Sequence, residues 1–199
     1  MKWIWLALIP LIIAGCSVQP GKTQNQPATT GEATGAASPT LAPGTNLPQA
    51  KLADLGLAPE LSNTVWLNTD QPLRLAQLRG QVVLLEMWTF DCINCQHVLP
   101  SLIEWYGKYH AEGLEIIGNH FPEFEYEANL SNLKQAVIQL KIPYPVAQDN
   151  DGKTWNAYHN RYWPTLYLID KQGNIRYEHI GEGSYSETEA AIRSLLAEQ

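Results

Sequence analysis

Cysteine, positive charge and long apolar runs are all scarce in this chain of 199 residues, and each shortage narrows what the chain can do. Lysine and arginine number 13 against 20 aspartates and glutamates, a formal charge of −7 with no basic cluster, so the electrostatic footing for nucleic-acid binding is missing. The longest apolar run, Trp3 to Ala14, is too short to cross a bilayer comfortably. Only three cysteines occur, Cys16, Cys92 and Cys95, and the single C-x-x-C has no second copy to complete a four-cysteine zinc site. Internal repeats are absent as well.

What is present divides into two unlike parts. Met1-Lys2 is a short basic start, the apolar run follows, and Ile13-Ala14-Gly15-Cys16 closes it, the pattern of a signal peptide over residues 1–15. Ile-Ala-Gly-Cys resembles the lipobox of bacterial lipoproteins, which implies cleavage before Cys16 and a lipid on its sulfur and new N-terminus. Cys16 is then the odd cysteine that an exported protein would otherwise leave unexplained; an ordinary secretory signal or an uncleaved anchor is the alternative. Residues 16–50 are mostly Gln, Thr, Gly, Ala and Pro, too poor in apolar side chains to repay ordering, and are expected to form a flexible tether spanning roughly 30 Å. Residues 51–199 are left for one domain, long enough to bury about two-thirds of the unfolded surface without disulfide staples.

Within that domain β and α patterns alternate, which predicts an α/β fold with a largely parallel sheet. Short leading strands are expected at Val65 to Asn68 and Leu73 to Leu75, and a buried one at Val82 to Trp88. A helix should follow Cys92 to about Tyr109, with a strand at Leu114 to Gly118. Leu130, Leu133, Val137 and Leu140 mark a helical stripe. Tyr144 to Ala147 reads as a strand, and Asp149-Asn150-Asp151-Gly152 as a turn before a short helix around Trp155. Asp170-Lys171-Gln172-Gly173-Asn174 is a hairpin turn between strands at Thr165 to Ile169 and Ile175 to Ile180. Ser186 to Glu189 has the form of a capping box opening a last helix that carries Ile192, Leu195 and Leu196 inward.

The chemistry concentrates in Trp88-Thr89-Phe90-Asp91-Cys92-Ile93-Asn94-Cys95, where a buried strand gives way to a helix. A thiol at a helix N-terminus has its thiolate stabilised by unpaired backbone N–H groups and the helix dipole. Cys92 is therefore the candidate nucleophile, and Cys95, one turn inside, the thiol that resolves the mixed disulfide. The neighbouring carboxylate of Asp91 pulls the other way. A static disulfide would close so small a loop that it constrains the unfolded chain little, and a zinc site would have to recruit His97, His120 or His159. Glu86, in an otherwise apolar strand six residues before Cys92, is a candidate buried carboxyl that exchanges a proton with Cys95, with a solvent-facing glutamate as the alternative. His120 and Glu123 follow a strand end and are candidates for a substrate groove, with a satisfied loop histidine and a solvated glutamate as the plainer outcome.

W-T-x-x-C-x-N-C after the strand, Pro100 in the helix, His120-x-Pro122-Glu123-Phe124, Tyr162-Trp163-Pro164 and Gly181-Glu182-Gly183 together resemble thioredoxin-like proteins of the TlpA and redoxin class, from about Asn63 to Glu198. Closer still is the soluble thioredoxin-like domain attached to DipZ-type membrane electron transporters. The resemblance implies a thioredoxin-like fold, a central mixed sheet with helices on both faces and an added βα element. It also implies a cis-proline at Pro164, facing Cys92 and docking an extended substrate segment, and a substrate groove at Trp88 and Trp163, with Trp88 packed beside the redox pair and shielding it or else a purely structural tryptophan.

The implied activity is thiol-disulfide exchange on exported proteins, more in the reducing than the oxidising direction, with no cofactor and no metal. Its implied partners are protein disulfides and a membrane electron donor of the DipZ or CcdA type, in an extracytoplasmic, lipid-anchored setting. Two other functions stay open. Thr89-x-x-Cys92 echoes a peroxiredoxin-like peroxidase, although Leu85 stands where that motif needs proline, and copper-handling thioredoxin folds use a spacing one residue longer than this C-x-x-C.

Overall fold

The computed structural model describes residues 52–198, so the expected signal segment 1–15, Cys16 and the tether 16–50 lie outside the described residues. The strands are β1 (Val65–Leu67), β2 (Val82–Trp88), β3 (Leu114–His120), β4 (Val146–Gln148), β5 (Thr165–Ile169) and β6 (Ile175–Ile180). The helices are α1 (Ile93–Tyr109), α2 (Leu130–Gln139), α3 (Lys153–Ala157) and α4 (Tyr185–Ala197).

All seven residues of β2 and all seven of β3 are buried, as expected of apolar runs covered on both faces. They pair in parallel, β3 pairs β4 in parallel, and β5 and β6 add antiparallel partners on the other side of β2. The result is one mixed six-stranded sheet ordered β1-β4-β3-β2-β5-β6. β2 lies at its centre, with β3 parallel on one side and β5 antiparallel on the other. The added unit is α2 with β4, which carries the sheet beyond β3.

Strand alternation divides the core between the two faces. Val82, Leu84, Leu166 and Leu168 pack under α1, α2 and α4, meeting Val98, Leu102, Leu133 and Ile192. Val83, Leu85, Met87 and Tyr167 face the other way, onto Leu61, Leu75, Trp155 and Tyr158. Each fully buried aliphatic or aromatic side chain of this kind contributes about 1.5–3 kcal/mol. α1 buries Cys95, Val98, Leu99, Leu102, Trp105 and Tyr109 on one stripe and runs on through the exposed Pro100. Cys95 is thus tied to the main core, while Cys92 stays at the rim.

Two local expectations are corrected. Leu73 to Leu75 is not a strand: Leu75–Gln77 forms a 3₁₀ turn. The Glu60 carboxylate caps it, accepting from the N–H of Leu75 at 2.6 Å and of Ala76 at 3.0 Å, and a partner 15 residues upstream leaves no mark in the local pattern. Nor does Ser186 open the last helix. Gly183 (φ +99°) and Ser184 (φ +47°) turn the chain through left-handed backbone, and α4 begins at Tyr185 without a side-chain cap.

Candidate active site

β2, β3 and β4 run parallel and end at one edge of the sheet, the edge where open α/β sheets build their sites. The chain leaves β2 there, passes through Thr89, Phe90 and Asp91, and enters α1 with Cys92 as its N-cap. Extended backbone at Cys92 (φ −75°, ψ 115°) turns its sulfur over the helix end, where the Cys95 N–H donates to Cys92 Sγ at 3.4 Å. No acidic residue stands in the first turn of α1, so its end keeps its positive character. Cys92 is half-buried and Cys95 buried, and both are free thiols. Burial, and then the nearby Glu86 carboxyl, push the Cys95 thiol far above the ordinary range. One sulfur therefore meets solvent while the other holds its proton, the asymmetry that an attacking and a resolving thiol require.

Opposite Cys92 stands the Trp163-Pro164 peptide, which is cis, as the resemblance implies. The Trp163 carbonyl oxygen lies 4.0 Å from Cys92 Sγ. The Trp163 indole is half-buried, stacked on Phe121 at 5.9 Å and tilted against Trp155 at 4.5 Å, and its N–H donates to the Phe121 carbonyl at 3.1 Å. Pro164 is buried, and its carbonyl accepts from the Gly181 N–H at 2.8 Å, which ties the proline loop to Gly181-Glu182-Gly183.

Beneath the pair, Glu86 has no exposed surface. Its Oε2 accepts from the Tyr144 hydroxyl at 3.4 Å and its Oε1 has no hydrogen-bond partner. Burial pushes its carboxyl up to about 8, against a smaller downward pull from Tyr144.

Two of the four expected groove residues, Trp88 and His120, are buried and line no groove. Trp88 is fully buried in the core with Cys95, so it packs behind the pair and does not line a groove. Its indole fills the space over Gly118, where an added Cβ would come within 2.8 Å of Nε1. His120 is also fully buried, stacked on Phe90 at 5.4 Å with its Nε2 3.2 Å from the Thr89 hydroxyl. Burial holds its imidazole down at about 4, hence neutral. Both residues end central strands and point into the α1 face, so the strand-end position that made His120 a groove candidate instead put it beneath the loop. Glu123 is exposed, and it is its backbone N–H that is engaged, by Glu127. Trp163 borders the nucleophile through its carbonyl.

Sequence reasoning missed Glu127 altogether. It is fully buried and accepts hydrogen bonds from Thr89, Asp91, Glu123 and Phe124. Glu123, Glu125 and Glu127 look alike in an acidic stretch, and nothing local says which one turns inward. The Asp91 carboxylate accepts from the Tyr126 hydroxyl, whose own proton is held up to about 12 by that bond. Tyr144, reaching Glu86 from 58 residues away, was invisible for the same reason. Among the described residues, no group of three His, Cys, Asp or Glu side chains could hold a metal ion.

Comparison with known proteins agrees with this geometry. Residues 48–178 match the AhpC/TSA family. The protein DipZ of Mycobacterium tuberculosis is 45% identical over 150 residues, which is 74% of this chain but 22% of DipZ, so the chain spans about a fifth of that relative's length. The thiol-disulfide oxidoreductase ResA of Bacillus cereus is 32% identical over 62% of this chain and 68% of its own. Among solved structures, a thioredoxin-like superfamily protein superposes with a TM-score of 0.67 and 32% identity, covering 72% of this chain and 97% of its own. The fold is therefore thioredoxin-like.

Proposed function

The chain belongs to the AhpC/TSA family, and from that premise we propose that it is a thiol-disulfide oxidoreductase that reduces disulfides in exported proteins through the Cys92/Cys95 dithiol. The observation that carries this reading is the unequal pair: a half-buried Cys92 Sγ capped by a helix N–H, over a buried, protonated Cys95. The Cys92 thiolate attacks one sulfur of a substrate disulfide, a mixed disulfide forms, and the other substrate sulfur leaves as a thiolate and takes up a proton. Cys95 then passes its proton to Glu86 in its ionised form, which becomes populated as the pH approaches about 8, and attacks Cys92 Sγ. The second substrate thiol is released and Cys92–Cys95 closes as a disulfide, so two electrons have passed to the substrate.

Glu86, with an affinity for protons near neutrality, is suited to that exchange. The edge at Trp163 and Pro164 would receive an extended substrate segment by backbone contact. Renewed reduction needs a dithiol donor, for which a membrane partner of the DipZ or CcdA type is proposed. An extracytoplasmic position, with a lipid on Cys16, completes the proposal.

The geometry favours disulfide exchange over the peroxidase alternative. Thr89 shares its hydroxyl with Glu127 and His120, and the polar contacts of Cys92 Sγ are the Cys95 N–H and the Trp163 carbonyl. The metal-handling alternative gains no donor cluster among the described residues.

The test is trapping with Cys95→Ala in cells that export the protein. Without the resolving thiol, substrates should accumulate as mixed disulfides on Cys92, identifiable after non-reducing electrophoresis. A trap that stays empty sinks the proposal, and a measured potential near −120 mV, in the range of strong oxidants, would reverse the direction.

A further inference from the structure

We propose that Glu127 is a positioning residue for the Cys92 nucleophile, acting through the Thr89–Asp91 loop; the proposal rests on the dithiol reading above. Its Oε1 accepts from the Thr89 hydroxyl at 2.5 Å and from the Asp91 N–H at 3.2 Å. Its Oε2 accepts from the N–H groups of Glu123 and Phe124, both at 2.8 Å. One buried carboxylate thus joins the loop that carries Cys92 to the segment that follows β3. From Glu127 the connection passes to the nucleophile in two ways. Asp91 is the residue before Cys92, and the carbonyl of Thr89 accepts from the Cys92 N–H at 3.4 Å.

The contacts call for a side chain that accepts at both ends. All four partners are donors, and a carboxylate is the side chain that accepts at both ends. Because the Thr89 proton goes to Glu127, the neutral His120 must give its Nε2–H to the Thr89 oxygen 3.2 Å away, so the chain of bonds runs in one direction from His120 through Thr89 to Glu127. No lysine or arginine forms an ion pair with Glu127 among the described residues. A buried carboxylate compensated by directed hydrogen bonds alone marks a built position. An amide of the same shape has an NH₂ at one end: at the Oε2 place it meets two N–H donors, and at the Oε1 place it meets the Asp91 N–H, with the Thr89 hydroxyl left as the one group able to accept from it. Either the Thr89–Asp91 loop or the Glu123–Phe124 segment must let go. The Cys95 N–H then no longer points steadily at Cys92 Sγ.

The experiment compares the full-length reduced protein with its E127Q and T89V variants, measuring iodoacetamide alkylation of Cys92 against pH, reduction of a protein disulfide, and urea unfolding. In both variants the alkylation midpoint should move up in pH, and kcat for disulfide reduction should fall about tenfold with KM held, the scale of a small misplacement of reacting atoms. A midpoint that moves down in E127Q means that Glu127 acts only as a charge. An unmoved midpoint with lowered stability means that it only holds the fold, and either result overturns the proposal. If E127Q does not fold, T89V decides alone, since it cuts the loop side and leaves the carboxylate in place. Alkylation needs no substrate, so a wild-type protein that reduces no disulfide while the variants still shift their midpoints would sink the enzymatic reading and leave the positioning role standing.

Discussion

Replacing Glu86 by glutamine keeps the shape of the side chain and removes its ionisation from the centre of the sheet. The carboxyl has no exposed surface, one oxygen without a partner, and the Tyr144 hydroxyl 3.4 Å from the other. Burial lifts it from its ordinary 4.5 to about 8. Between those values the folded chain binds a proton that the unfolded chain has released, so stability is intact below 4.5 and falls as pH rises towards 8. The interval is about 3.5 pH units, and at about 1.36 kcal/mol per unit the loss reaches about 5 kcal/mol. That is a large share of the net stability of a domain. Glutamine has no proton to lose, and its carbonyl can still accept from Tyr144, so E86Q should lack the slope. The assay is urea unfolding of both reduced proteins, followed by tryptophan fluorescence between about pH 5 and pH 8, below the main titration of unfolded cysteines. The advantage of E86Q over wild type should widen by roughly 1.4 kcal/mol per pH unit. A difference that stays flat across the range would refute desolvation of Glu86 and remove it as a proton partner for Cys95.

Two further outcomes follow from buried groups near the pair. His120, held down at about 4 by burial, should show imidazole resonances that do not titrate between about pH 5.5 and pH 8; its contribution to stability is present above its unfolded value of about 6.5 and is lost as pH falls towards 4. A His120 signal titrating near its ordinary value would show that the Thr89–Glu127 array is open to water. Gly118→Ala drives a Cβ to within 2.8 Å of Trp88 Nε1, and should lower the urea midpoint by an amount worth about 1–3 kcal/mol. Unchanged stability would mean that Trp88 is free to move away from the β3 backbone.

The order of elements was legible because it rests on local pattern. Seven consecutive apolar or enclosed residues at Val82–Trp88, the stripe in α1 and the turn at Asp170–Asn174 each announce themselves within one segment. The errors fall where a distant partner overrules such a pattern. Glu60 turned Leu75–Gln77 into a 3₁₀ turn, and two left-handed residues moved the start of α4 ahead of Ser186. The site divides along the same line. Cys92 and Cys95 could be named from a strand, a turn and a spacing, whereas Pro164 came from the family resemblance and Glu86 from its apolar strand together with that resemblance. His120 and Trp88 were assigned to a surface that their strand-end positions do not reach.

By itself, then, the sequence determined an α/β chain with a dithiol at a helix N-terminus and an acid beneath it, since periodicity and spacing are properties of neighbouring residues. Only the tertiary structure decided which acid turns inward beside the nucleophile, which tyrosine meets Glu86, and that the ring of His120 lies under the loop. Those pairings join residues 31 to 58 positions apart. They exist because a buried polar group must find a partner wherever the packed chain brings one, and packing is settled by the whole fold.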